Sequence, residues 1–239
     1  MTNFVLVHGS FHGPWCWDDV AEKLRAAGHN VLTPDLGAAS HEGIYPDLND
    51  YAAHVAKAVL SCGGRVILVG HSMGGLVISQ ALKLIGHRLS ALVYVSGLML
   101  RDGETLQSFL GQHATLGVED LVLKHMTISE NGALASFPAT MAPEIFYNRC
   151  TSAQAAWASA RLRPQPTAVY ATPLTLARIG ASRYYIACED DRAVSVLYQR
   201  QMLENSPCDK IYNLDTDHSP FLSAQVPLLG ILNEIIKQT

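Results

Sequence analysis

The segment Arg65-Val66-Ile67-Leu68-Val69-Gly70-His71-Ser72-Met73-Gly74-Gly75-Leu76-Val77-Ile78 constrains this chain more than any other. It reads as a buried strand, a Gly-x-Ser-x-Gly turn and the start of a helix in immediate succession. So sharp a turn forces the serine into strained backbone angles, and a side chain at either flanking glycine would collide with the neighbouring strand or helix. The helix N-terminus next to Ser72 favours negative charge developing on a bound group. Ser72 is therefore the candidate nucleophile. The plainer reading, a glycine-rich turn with a capping serine, does not explain why strand, turn and helix all appear in order.

The surrounding pattern supplies a sheet for such a turn. Short aliphatic runs at Phe4 to Val7, Val31 to Thr33, Arg65 to Val69, Ala91 to Val95, Tyr184 to Ala187 and Lys210 to Leu214 alternate with helical patterns. Near-continuous apolar strands separated by helices imply an α/β fold with a parallel sheet covered on both faces. One helix is expected from about Trp17 to Ala27, stopping at Gly28. A second carries Leu48, Tyr51, Ala52, Val55, Val59 and Cys62 at helical spacing. From about Arg101 to Ile179 the rhythm breaks, and the pattern is mostly helical and punctuated by prolines. A structureless loop of that length is improbable, so residues 101–179 are expected to form a helical cap within one domain spanning residues 1–239. The alternation then resumes and ends in an amphipathic helix from about Leu222 to Lys237.

A net charge of −4 and the absence of a basic stretch interleaved with aromatics argue against a nucleic-acid partner. The five cysteines are scattered and form no CxxC pair, which argues against a zinc site and a disulfide framework, so no metal is expected. No apolar run is long enough to span a membrane, and a strand begins within three residues of the first, so a cytoplasmic protein is the default expectation. A homodimer is left open.

A serine hydroxyl needs a base to take its proton and a carboxylate to orient that base. Of the 10 histidines, His218 lies just after an apolar strand and a polar loop, where an open α/β sheet gathers its ligands. His8, His12 and His71 are expected to shape the pocket or hydrogen-bond within it. The carboxylate should stand on another strand end. Asp191 and Asp190 follow the strand Tyr184 to Ala187, and Asp102 follows Ala91 to Val95. Two backbone N–H groups must face the developing oxyanion. Met73 supplies one, and the loop His8-Gly9-Ser10-Phe11-His12-Gly13 brings the second from Ser10. That loop fits neither G-x-G-x-x-G nor a P-loop, so no nucleotide cofactor is expected.

These residues resemble one branch of the α/β-hydrolases, the plant methylesterases and hydroxynitrile lyases with their bacterial esterase relatives. The resemblance rests on Phe4 to Gly9 with His12 to Trp15, Ala26 to Leu36, the turn Gly70 to Gly75, Tyr185 to Asp191, and Asp217 to Ser219. It is thin across the cap. It implies a six-stranded sheet, Asp191 as the acid, and oxyanion donors at Ser10 and Met73. Lyases of that branch carry a lysine after the catalytic histidine and a threonine after the first-strand histidine. Here these positions are Ser219 and Gly9, which disfavours a lyase.

The resulting expectation is a cofactor-independent carboxylic ester hydrolase acting on a small-molecule ester. The same triad on an amide, a carbamate or a C–C bond, and a ligand receptor with slow turnover, are the alternatives. Gly9, Phe11 and His12 should shape the pocket. The cap residues Leu106, Phe109, Leu110, Leu121, Met126, Phe137, Met141, Phe146 and Trp157 should roof it.

Overall fold

The computed structural model describes residues 1–39 and 44–239. Six strands form the main sheet: β1 (Asn3–Val7), β2 (Asn30–Leu32), β3 (Val66–His71), β4 (Leu89–Val95), β8 (Ser182–Cys188) and β9 (Lys210–Leu214). Their order is β2-β1-β3-β4-β8-β9 and every pairing is parallel. Alternation along each strand explains why both faces are covered. Val5, Val7, Val66 and Leu68 enter one core with the helices Leu48–Ser61 and Gly74–Gln80. Phe4, Leu6, Ile67 and Val69 enter the other with the helices Asp18–Ala26 and Gln225–Gln238.

Local signals account for the helix limits. Asp47 caps Leu48–Ser61, its side chain accepting from the N–H groups of Asn49 and Asp50 while Asp50 answers to the Asp47 N–H. Helix Asp18–Ala26 is followed by Gly28 at φ +86°, a left-handed residue that glycine adopts without strain. The final helical stretch is broken into Pro220–Ser223 and Gln225–Gln238. No helix among the described residues is long and apolar enough to cross a membrane.

The chain passes outward from β1 to β2 and returns to β3 on the other side of β1. This leaves a topological switch point between the C-terminal ends of β1 and β3, where α/β sheets bind ligands. The insert between β4 and β8 covers these ends. It holds the helices Leu106–Gln112, Leu121–His125, Ala142–Ile145, Ser152–Ser159 and Ala168–Ala171. It also holds a three-stranded antiparallel sheet, β5 (Thr127–Ile128), β6 (Leu134–Ser136) and β7 (Gln165–Pro166), which the helical expectation did not contain. The helical pattern expected of the cap is interrupted between Ala142–Ile145 and Ser152–Ser159, because Tyr147 to Cys150 turn away to meet the main body at Asp190 and Asp217.

Candidate active site

Ser72 lies just beyond β3 with φ +53°, the left-handed region that costs a non-glycine residue energy. The neighbouring chains enforce that conformation. A Cβ on Gly70 would stand 2.6 Å from Gly74 O, and one on Gly74 would stand 2.7 Å from Val7 O. The Ser72 N–H donates to Val95 O at 3.2 Å, and Ser72 O accepts from Gly75 and Leu98, each at 2.9 Å. The strain is thereby held by two strands and a helix.

Asp191 and His218 meet across the ends of β8 and β9. Asp191 Oδ2 accepts from His218 Nδ1 at 2.8 Å and from the Ser96 hydroxyl, while Oδ1 accepts from the N–H groups of Ala193 (2.7 Å) and Val194 (2.8 Å). With Nδ1 committed to a carboxylate, the His218 ring presents Nε2 as its remaining basic atom. Ser72 and His218 line the same cavity. The other carboxylates point elsewhere. Asp190 accepts from Arg149 Nε at 2.5 Å and Asn148 Nδ2 at 3.0 Å, and Asp102 accepts from the Leu176 N–H.

Three further residues hold this pair in place, and of these Ser96 alone is absent from the sequence reading. Ser96, at φ +43° just past β4, supplies the hydroxyl to Asp191. Asp217 is wholly buried and accepts from Ser219 N, Ser223 Oγ and Arg149 N, which fixes the turn carrying His218. His71 donates from Nε2 to His218 O at 2.7 Å, with ring centroids 4.5 Å apart. Burial, then the positive potential of His218, pushes the His71 imidazole well below its ordinary range, so it remains neutral beneath His218.

The loop that follows β1 carries Ser10 against Ser72. Neither Ser10 N–H nor Met73 N–H donates to a protein group among the described residues. A Cβ on Gly9 would lie 2.7 Å from Ser72 Cβ, so only glycine lets the loop approach the serine this closely. Phe11 takes φ +63°. His12 donates from Nδ1 to Ser10 O (2.8 Å) and its Nε2 accepts from Tyr147 OH (2.9 Å), the arrangement of a neutral ring. Burial pushes the His12 imidazole down to about 3. From the insert, Arg163 donates its N–H to Phe11 O at 2.7 Å and Nη2 to His12 O at 3.2 Å, and Tyr170 donates to Ser10 Oγ at 2.6 Å.

A cavity of about 580 Å³ opens above these groups, walled mostly by apolar side chains. Phe11, Leu106, Phe109, Leu110, Met126 and Phe146 line it, whereas Leu121, Phe137 and Met141 pack into the insert. Trp157 does not line it, which corrects the sequence expectation. The helix Ser152–Ser159 turns its indole outward to 39% exposure, edge-on to Trp15 and beneath the Arg161 guanidinium. Gly9, His12 and His71 stand behind the wall, against the Ser10 loop and His218. Val122, Leu123, Ile128, Tyr170, Val194 and Tyr198 also line the cavity and were not anticipated, since no local pattern marks which insert residues face inward.

A parallel six-stranded sheet with a serine on a strained strand-to-helix turn and a carboxylate–histidine pair on later strand ends defines an α/β-hydrolase. The chain belongs to the alpha/beta hydrolase family, whose description matches residues 4–228. Over 98% of its length it is 32% identical to putative methylesterase 11, chloroplastic, of Arabidopsis thaliana, although it spans only 64% of that protein. It is 31% identical to methyl jasmonate esterase 1 of Vitis vinifera, with 98% of this chain and 97% of that one covered. In structure it resembles a pyrethroid hydrolase from Sphingobium faniae, with a TM-score of 0.85, 24% identity and coverage of 99% and 97%, a likeness of fold. The protein is thus a hydrolase of the esterase type, related to plant methylesterases and bacterial esterases.

Proposed function

We propose that this enzyme hydrolyses a small or aromatic carboxylic ester through an acyl-enzyme on Ser72. The observation that carries the reading is the Asp191–His218 bond at 2.8 Å, with His218 and Ser72 facing one apolar cavity. In this mechanism His218 Nε2 takes the Ser72 proton as the hydroxyl attacks the acyl carbon, and Asp191 stabilises the imidazolium. The N–H groups of Ser10 and Met73 receive the oxyanion. His218 returns the proton to the departing alcohol, then activates the water that releases the acid.

The apolar wall suits an ester with an uncharged hydrocarbon or aryl portion, and the relation to a methyl jasmonate esterase supports a small alcohol as leaving group. Cyanide release is left out of the reading because Ser219 follows His218, and neither lysine nor arginine lines the cavity among the described residues.

Hydrolysis of p-nitrophenyl esters across acyl lengths, compared with Ser72→Ala, tests the proposal. Turnover should be greatest for short or aryl acyl groups and fall by about a thousandfold or more in the variant. Undiminished turnover in Ser72→Ala would overturn it.

A further inference from the structure

The cavity contains one feature that ester hydrolysis alone does not require. Asp120 lines it together with Ser72, while neither lysine nor arginine does so among the described residues. The carboxylate is half-buried and caps the helix Leu121–His125, with Oδ1 accepting from the Leu123 N–H at 2.9 Å. It makes no ion pair among the described residues. Lys124, the nearest lysine in the chain, is engaged with Glu119 at 2.6 Å, and neither of these lines the cavity. Aromatic rings complete the wall, with Phe109, Phe146, Tyr170 and Tyr198 sharing the cavity with Asp120.

A carboxylate without a counter-ion in a cavity lined by aromatic residues is suited to a cation, which the carboxylate attracts by charge and aromatic rings attract by their quadrupoles. We infer that Asp120 and the surrounding aromatic rings form a cation subsite, so that the enzyme prefers esters whose acyl or alcohol portion carries a protonated amine or quaternary ammonium. An ester bearing a carboxylate is rejected by the same charge. The inference rests on the esterase reading of Ser72. Burial pushes the Asp120 carboxyl above its ordinary value in spite of the backbone N–H groups that hold it, and a bound cation relieves that cost. Burial, with the negative charge of Asp120 behind it, likewise raises the Tyr198 phenol.

The test uses three p-nitrophenyl esters of matched length whose acyl chains end in trimethylammonium, tert-butyl or carboxylate. In wild type kcat/KM should follow that order. Asp120→Asn keeps the helix cap, since asparagine caps as well as aspartate, and should reduce the ratio of cationic to neutral ester by about tenfold. The neutral ester should be little affected and the thermal midpoint nearly unchanged. Added salt should narrow the wild-type preference. Equal ratios in wild type and Asp120→Asn would overturn the subsite, and Asp120→Ser repeats the comparison should the first variant fold poorly. Dissociation constants of the matched methyl ketones, measured calorimetrically with Ser72→Ala, decide the charge preference without turnover. If no ester is hydrolysed but the ketones keep the order, the esterase reading fails and the cation subsite stands.

Discussion

Adjacent carboxylates at Asp190 and Asp191 differ because the turn after β8 sends their side chains in opposite directions. Asp191 Oδ2 is shared by His218 and Ser96, and Oδ1 is held by two backbone N–H groups, so the carboxylate cannot rotate away from the imidazole. Asp190 is committed to Arg149 and Asn148 of the insert. Asp191→Asn should therefore lower kcat by roughly a thousandfold or more, because an amide no longer fixes the tautomer that leaves Nε2 basic. Asp190→Asn should cost less than about tenfold, as an exposed ion pair contributes little. Steady-state kinetics of the two variants at one pH check the order, and equal losses would remove Asp191 from the role proposed for it. Ser96 also stands beside this carboxylate, yet in sequence it is one more serine at a strand end. Its partner lies 95 residues away, and only the pairing of β4 with β8 brings them together.

The insert acts on the Ser10 loop, proposed above to hold the oxyanion, through particular contacts. Arg163 donates its backbone N–H to Phe11 O and its guanidinium to His12 O, and the same guanidinium forms a fork with Asp35 at 2.6 and 3.0 Å. His8 and Arg163 together hold the Asp35 carboxyl far below the usual carboxylate range. An oxyanion donor displaced by even a fraction of an ångström loses much of its effect, so Arg163→Met should lower kcat about tenfold while moving KM less. Tyr147→Phe, which removes only the hydroxyl bonded to His12, should produce a smaller loss in the same direction. A change confined to KM in both variants would show that these contacts hold the cavity wall rather than the loop. The main strands were legible in the sequence because runs buried on both faces have few alternatives to a parallel sheet. The strained turn at Ser72 was legible because its glycines are dictated by atoms within a few residues or on the next strand. The insert was less so. Its strands β5, β6 and β7 have two or three residues each, too short for an alternating pattern, and β7 contains Pro166. Whether Trp157 or Tyr170 faces the cavity depends on how short helices dock, which no local period encodes.

Over the whole molecule, the buried histidines tie stability to pH more than the net charge does. His12 and His71 are sealed beneath the site as neutral rings, and burial is the largest cause of both displacements. An unfolded histidine binds its proton near its ordinary value of 6.5, whereas folded His12 resists protonation down to about 3. Between these values the unfolded chain binds more protons, so stability is fully present above about pH 6.5 and is lost progressively as pH falls toward about 3. For His12 alone the full interval corresponds to at most about 5 kcal/mol, an upper figure because local opening lets the ring protonate earlier. The decline should therefore begin near pH 6, before carboxylates in the unfolded chain start to protonate. Asparagine at this position can keep a donor toward Ser10 O without a titrating ring. Urea unfolding of wild type and His12→Asn from pH 8 to pH 4 measures the effect as a slope, independent of the variant's overall loss of stability. The His12→Asn curve should be flatter below pH 6.5, retaining the part due to His71. Parallel curves would mean that His12 becomes protonated in the folded protein without cost, and the neutral ring bridging Tyr147 to Ser10 would have to be abandoned.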